Sequence, residues 1–146
     1  IEYNCRFGDP ETQPIMLRLQ SDLVALCDSA LAGTLDNAGT EWDQRCAIGV
    51  VLAAGGYPGS YARGMPISGL DSSFGEGIKV FHAGTAMEDG QVVTSGGRVL
   101  CVTALGEDIA AAQQACYTAA DQIEWDGVTL RRDIGWRAIA RHGELD

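Results

Sequence analysis

The fold is decided by the stretch Cys46-Ala-Ile-Gly-Val-Val-Leu-Ala-Ala54, a nearly continuous apolar run. Its length suits a β-strand, and a run with so few polar residues is typical of a strand covered on both faces. The run stops at the glycine-rich segment 55–64. A glycine-rich loop can cradle phosphate, but such cradles normally lead into a helix N-terminus, and no helical pattern follows here. We therefore predict a turn-forming loop rather than a nucleotide site.

Further strands are predicted downstream of this run. Ile78–Thr85 and Arg98–Leu105 have the composition of strands. Between them, Asp89-Gly90 is a hairpin signal that leads into a returning strand over Gln91–Thr94. The second part of the chain is therefore rich in β-structure.

The clearest helix spans Asp108–Ile123, and its many alanines allow close approach to a sheet. A short strand is expected around Val128–Leu130, followed by turns. Together these elements predict an α+β fold. The apolar positions of the helix fall on one face, at Ile109, Ala112, Cys116, Ala119 and Ile123.

Two helices are predicted upstream. Glu11–Leu19 reads as a short helix with Pro14 in its first turn, where proline is tolerated. Ser21 is the expected N-cap of the second helix, and Gly33 is expected to end it. Because 36–43 is polar and contains glycine, we place a domain boundary near Trp42, which divides the chain into 1–42 and 43–146.

Composition excludes several classes of protein. The chain has 146 residues and a net charge of −10, which argues against a general nucleic-acid or anionic-membrane partner. No apolar run approaches the roughly 18 residues of a membrane span. Five cysteines at long spacings, without Cys-x-x-Cys, fit neither a disulfide framework nor a zinc site. Each lies in an apolar context, so we expect buried, reduced thiols in a cytoplasmic protein.

The first residues carry a polar pattern. In a strand, Glu2, Asn4 and Arg6 would share one face, and Phe7 would lie on the opposite, apolar face. A carboxylate and an amide oxygen two residues apart suit a hard cation such as Mg²⁺, and the arginine suits a phosphoryl group. The alternative from these residues alone is an edge strand with a solvated polar face.

Longer motifs favour the first interpretation. The string Arg6-Phe7-Gly8-Asp9-Pro10-Glu11-Thr12-Gln13 resembles the signature of the phosphoribosylamine–glycine ligase (glycinamide ribonucleotide synthetase) family, within the ATP-grasp superfamily. Nearly the whole chain is similar to the C-terminal third of that family. Further matching runs lie at 49–59, 79–85, 93–100 and 132–138.

The resemblance implies the end of an ATP-grasp domain followed by a small β-rich C-terminal domain with a packed helix. It implies that Glu2 and Asn4 hold the Mg²⁺ or Mn²⁺ that bridges nucleotide phosphates. It also implies that Arg6 holds a phosphate or the acyl phosphate. The substrates would be ATP, glycine and 5-phosphoribosylamine. Because the chain begins without Met, we expect it to be the tail of a longer polypeptide and to be inactive without the missing N-terminal part.

Two other functions stay open: a different ATP-grasp carboxylate–amine ligase, and a non-catalytic structural or interaction module. For Arg6, the alternative role is an ion pair with Asp9 or Glu11, whose own positions are explained by turn and helix-start chemistry. His82 is expected to be a hydrogen-bonded structural residue, with the alternative that it faces substrate as part of an active-site wall, and the role of Lys79 on the same predicted strand stays open.

Five of the ten basic residues are arginines in the second half of the chain. We expect them to be solvated, and they would form an anion site only if they converged in space. These residues are Arg98, Arg131, Arg132, Arg137 and Arg141.

Overall fold

The structure, a computed structural model, describes residues 6–143, and the side chains of 6–141. The predicted metal ligands Glu2 and Asn4 lie outside the described residues. Helices and strands are mixed, which confirms the predicted α+β class. The elements are α1 Thr12–Arg18, α2 Leu23–Leu31, β1 Cys46–Ala53, β2 Ile78–His82, β3 Thr85–Glu88, β4 Gln91–Thr94, β5 Arg98–Gly106, α3 Ile109–Ala120, β6 Thr129–Leu130 and α4 Trp136–Gly143.

The main sheet has four antiparallel strands in the order β2-β5-β1-β6. Strand β1 pairs with β5 from Cys46, opposite Gly106, to Ala53, opposite Arg98. Alternate residues of β1 point to opposite faces of the sheet. Val50 belongs to the buried core on the α3 face, and on the other face Gly49 lies against the ring of Pro14 in α1. The predicted cover on both faces of β1 is therefore confirmed in part, since α1 covers the second face at Gly49 while Val51 and Ala53 on that face are only partly buried.

Helix α3 covers the core face of the sheet. Asp108 caps it, because its carboxylate accepts a hydrogen bond of 2.7 Å from the backbone N–H of Ala111. Cys116 and Ala112 are fully buried, as the apolar face predicted. A Cβ atom at Gly106 would lie 2.7 Å from the Cα of Ala112. The glycine thus allows helix and strand to approach closely.

The predicted strand Ile78–Thr85 is wrong in extent. Strand β2 ends at His82, and the chain then enters β3, which pairs only with β4 in a separate two-stranded sheet. The break lies at Gly84, whose missing side chain lets it pack on the backbone of Gly96. The predicted hairpin turn is present: Asp89 and Gly90 have φ values of 48° and 79°, as a type I′ turn requires.

The N-terminal helices follow the prediction except at one cap. Helix α1 carries Pro14 in its first turn, and Gly33, at φ +69°, follows the end of α2. The N-cap of α2 is Asp22 instead of Ser21, because the Asp22 carboxylate accepts hydrogen bonds from two backbone N–H groups. The Ser21 hydroxyl accepts a bond from the N–H of Glu41 at 2.7 Å. The domain boundary near Trp42 stays a prediction.

Both ends of the described chain differ from expectation. Arg6 and Phe7 are not in a strand, and the Phe7 side chain is 56% exposed where core contact was predicted. After β6, the expected turn is present at residues 134–135, but it leads into α4, which was not predicted. Gly135, at φ +87°, reverses the chain there, and its carbonyl accepts a hydrogen bond from the N–H of Ile139 as the helix begins.

No helix within residues 6–143 has the length and hydropathy to span a bilayer.

Candidate functional site

Arg6 is exposed and makes one local contact. Its Nη1 donates to the carbonyl of Phe7 at 3.1 Å. Within the described residues it pairs with neither Asp9 nor Glu11, so the ion pair considered from the sequence is not formed. The catalytic role of Arg6 stays a prediction.

Asp9 joins the N-terminal segment to the main sheet. Its backbone carbonyl accepts a bond of 3.0 Å from Nη1 of Arg98, and its carboxylate pairs with Nη2 of the same guanidinium at 3.1 Å. Gln13 also donates to the carboxylate, at 3.3 Å. Arg98 begins β5, which forms the middle of the sheet. The segment that carries Arg6 is thus held against the first residue of β5.

A cavity of about 500 Å³ lies beside this link, on the sheet face opposite α3. Two of its lining residues, Val51 and Ala53, alternate with the buried residues of β1 and so point away from α3. The wall is completed by Tyr57 from the glycine-rich loop and by residues of β5, β6 and the segment after β6. The lining residues are Val51, Ala53, Tyr57, Arg98, Thr129, Leu130 and Arg131.

Strand pairing explains why Arg98 and Arg131, which are far apart in the sequence, line the same cavity. Ala53 is the register partner of Arg98 on β5 and of Thr129 on β6. The three residues therefore form a row across the sheet, on one face. Arg131 follows Thr129 by two residues, which returns it to the same side.

Arg131 is held by Asp133 through two hydrogen bonds, from Nε at 2.9 Å and from Nη2 at 2.6 Å. The bond from Arg131 is the main cause that lowers the pKa of the Asp133 carboxyl. The same pairing raises the pKa of Arg131, so this arginine is charged at any physiological pH.

The remaining arginines lie elsewhere. Arg132 pairs with Asp121 at 2.7 Å, and its guanidinium carbon is 5.6 Å from the centre of the Tyr117 ring. Arg137 and Arg141 line a second depression beside Trp136, which Arg131 also borders. The arginine cluster noted in the sequence therefore divides, and Arg98 and Arg131 share the first cavity.

Lys79 and His82 have structural contacts. The ammonium nitrogen of Lys79 lies 5.4 Å from the centre of the Phe81 ring, and Nδ1 of His82 is 3.0 Å from the hydroxyl of Thr85. Both residues lie on β2, at the edge of the sheet. No helix directly follows the glycine-rich loop 55–64, and the ring of Tyr57 in this loop packs over the backbone of Gly97. These contacts favour the structural role expected for His82 and the turn geometry expected for the glycine-rich loop.

The cysteines differ among themselves. Cys101 and Cys116 are buried, and burial raises the pKa of the Cys116 thiol to about 12. Cys27 is exposed, so the expectation that all five thiols are buried is wrong. It lies on a face of α2 that no described element covers. The described cysteines carry no disulfide.

Sequence reasoning did not single out Tyr57 or Thr129 as site residues. They lie 72 positions apart in the chain and meet through the pairing of β1 with β6. The one available signal was the set of arginines, which is visible in the sequence, but their convergence depends on strand order.

Comparison with known proteins places the chain in a family. A family model described as "Phosphoribosylglycinamide synthetase, C domain" matches residues 47–137. Two curated relatives named phosphoribosylamine–glycine ligase are 67% identical (Vibrio cholerae) and 63% identical (Pseudomonas aeruginosa). Each alignment covers 97% of this chain and 33% of the relative.

A solved structure of phosphoribosylamine–glycine ligase from Thermotoga maritima is also similar, at 36% identity and a TM-score of 0.71. The match covers 91% of this chain and 32% of that one. The chain thus spans about a third of the length of the proteins it matches. Since the family model covers more than half of the residues, this chain belongs to the phosphoribosylglycinamide synthetase C-domain family.

Proposed function

We propose that this chain forms the C-terminal part of an ATP-dependent ligase that joins glycine to 5-phosphoribosylamine. The observation that carries the proposal is the similarity along 97% of the chain to enzymes named phosphoribosylamine–glycine ligase, at up to 67% identity. The rest of the catalytic machinery would come from the remaining two thirds of a full-length protein.

In the proposed reaction, the glycine carboxylate attacks the γ-phosphorus of ATP and forms glycyl phosphate and ADP. The amine of 5-phosphoribosylamine then attacks the acyl carbon, phosphate leaves, and the amine loses a proton to give the amide. Such phosphoryl transfers depend mainly on positioning and on neutralising spread negative charge. Arg6 would supply a guanidinium to the transferring phosphoryl group.

Glu2 and Asn4 would hold the metal. Their donors are a carboxylate and a carboxamide oxygen, the hard ligands that Mg²⁺ and Mn²⁺ accept. When bound, the ion neutralises charge on the nucleotide phosphates. The link between Asp9 and Arg98 supports this proposal, because it fixes the segment that follows these residues against a rigid sheet.

The test uses the full-length protein and measures ADP release that requires both glycine and 5-phosphoribosylamine. Arg6→Gln should lower kcat by about 10²- to 10³-fold, as for other groups that stabilise charge in the transition state. Glu2→Ala with Asn4→Ala should weaken Mg-ATP binding. Glu124→Gln, at an exposed position far along the chain, is the control and should leave both unchanged. Wild-type protein without substrate-dependent ADP release would refute the proposed function.

A further inference from the structure

The segment that carries Arg6 has little apolar packing to hold it in place. No residue within 6–42 is buried, and the side chain of Phe7, next to Arg6, is 56% exposed. A segment with few buried apolar contacts is free to move unless polar contacts restrain it. The position of the Arg6 guanidinium therefore depends on the hydrogen bonds and ion pairs of the residues that follow it.

Asp9 is the residue that attaches this segment to the main sheet. Nη1 of Arg98 donates to the Asp9 carbonyl at 3.0 Å, and Nη2 lies 3.1 Å from the Asp9 carboxylate. Gln13, in the first turn of α1, donates to the same carboxylate at 3.3 Å. Because the guanidinium is planar, its two contacts fix the orientation of Asp9 as well as its distance from the sheet.

Arg98 is itself anchored in the fold on both sides. Its backbone is in register with Ala53 of β1, and its carbonyl accepts a hydrogen bond of 2.9 Å from the N–H of Gly84 on the other side. The next two residues of β5, Val99 and Leu100, are completely buried. The guanidinium therefore extends from a rigid part of the sheet to a residue that lies three positions after Arg6.

The exposure of this ion pair limits what it contributes to stability. The side chains of Arg98 and Asp9 are 42% and 47% exposed, and water and salt screen such pairs so that they stabilise a fold only slightly. Catalysis is more sensitive to position, since a displacement of about 1 Å can lower a rate about 10²-fold. A contact of this kind can thus have a small effect on folding and a large effect on a reaction.

We propose that Arg98 is a positioning residue of the ligase, which acts through Asp9 to hold the Arg6 guanidinium at the transferring phosphoryl group. The inference rests on the proposed function, in which Arg6 contacts that group. In this role Arg98 needs no contact with the reacting atoms. It restrains the stretch from Arg6 to Asp9, which spans at most about 11 Å, so that the stretch stays against the sheet.

The chain offers a matched control for this arginine. Arg45 has similar exposure and also pairs with an aspartate, but its guanidinium bonds only Asp43 within the described chain. In the full-length protein, Arg98→Gln should lower kcat by about tenfold or more and alter the KM of each substrate by less than about threefold. Arg45→Gln also removes an arginine–aspartate pair and should leave kcat unchanged. A rise in KM for 5-phosphoribosylamine with kcat unchanged would make Arg98 a substrate-binding residue and overturn the inference.

A double-mutant cycle tests whether Arg98 acts through Arg6. If it does, the two effects on kcat do not add, and Arg98→Gln should lower kcat by less than about twofold further in an Arg6→Gln background. Arg98→Lys keeps a charge for Asp9 and should restore part of kcat. Asp9→Asn, at an exposed position, should lower kcat by a smaller factor, because its carbonyl can still bond Arg98. Full additivity of Arg6→Gln and Arg98→Gln would overturn the inference.

Hydrogen exchange separates this inference from the proposed function. The amides of residues 6–12 should exchange faster in Arg98→Gln than in the wild type, whereas Arg45→Gln should leave their exchange unchanged. Equal exchange in Arg98→Gln and wild type would overturn the inference. Faster exchange in a full-length protein without ligase activity refutes the proposed function while the attachment of the segment stands. An active enzyme in which Arg98→Gln keeps the wild-type kcat refutes the positioning role while the ligase function stands.

Discussion

The first 37 described residues, 6–42, contrast with the sheet that follows them. Within 6–42 no residue is buried, although the helix α2 carries apolar residues at helical spacing; Val24 is 68% exposed and Leu31 is 89% exposed. In the sheet, Leu52 and Leu100 are completely buried. Both regions have amphipathic patterns, and α1 packs on the sheet through Pro14, but the apolar residues Val24 and Leu31 of α2 find no cover among the described residues. Apolar residues at helical spacing therefore predict that a helix forms more securely than they predict that its apolar face is buried.

The two regions are joined by a small polar junction. Arg18, the last residue of α1, donates from Nε and Nη2 to the carbonyl of Asp43, at 3.1 and 2.9 Å. The carboxylate of Asp43 is bound in turn by Arg45, with the shortest contact at 2.7 Å. Hydrogen bonding from Arg45 holds the pKa of the Asp43 carboxyl at about 2. This junction can be weakened without touching either region's apolar residues.

The largest effect is expected from truncating the same side chain in each region. Leu52→Ala should lower the free energy of unfolding by about 2–5 kcal/mol, because it removes buried methyl groups and leaves a cavity. Leu31→Ala should change it by less than about 0.5 kcal/mol, since that side chain is already in solvent. Urea unfolding of this chain measures both. A cost at Leu31 that equals the cost at Leu52 would show that the two regions do not differ as described.

The contrast between the two regions can also be tested at two glycines, Gly33 after α2 and Gly69 in the segment between β1 and β2. Gly33 and Gly69 have φ values of +69° and +82°, but a Cβ atom at Gly33 meets open space, whereas at Gly69 it overlaps the carbonyl oxygen of Gln122. Gly33→Ala should therefore cost only the strain of a left-handed conformation, about 1–2 kcal/mol. Gly69→Ala should cost clearly more, and thermal unfolding of the two variants compares them. Equal losses would mean that the loop at Gly69 moves away freely.

The smallest effect is expected at the junction and depends on pH. The pKa of Asp43 is lowered in the folded protein, so its contribution to stability is present above its ordinary pKa of 3.8 and is lost as pH falls toward 2. The stability gap between the wild type and Asp43→Asn should thus shrink between pH 5 and about 2. Melting temperatures across this range provide the measurement. Asp28→Asn, an exposed change in α2, is the control, and a gap that is constant with pH would contradict the assignment.

Local signals in the sequence were enough for elements whose pattern is strong. The apolar run of β1 and the alanine-rich face of α3 could be read directly, because burial imposes a regular spacing on both. The N-cap of α2 was misplaced by one residue, since Ser21 and Asp22 are both good caps and a distant contact with Glu41 decides between them. Helix α4 was missed because its eight residues make only about two turns, which is too short for a helical period to stand out in the sequence.

The candidate site was predictable only in part. The motif around Arg6 lies in consecutive residues, so its resemblance to a ligase signature is visible without any structure. The cavity has no such local signature, because Arg98, Ala53 and Thr129 become neighbours through the order of strands. Strand order is a property of the whole sheet, and spacing within one stretch of sequence does not specify it.

The strand order also has a consequence for how the chain folds. Both neighbours of β1 in the sheet, β5 and β6, come after it in the sequence, and residues 54–97 separate it from the nearer one. At a synthesis rate of about 5–20 residues per second, the apolar β1 segment waits for seconds before its first partner leaves the ribosome. During that interval it is an unpaired, aggregation-prone strand. We expect the yield of folded protein to depend on how well this one segment is shielded while synthesis continues.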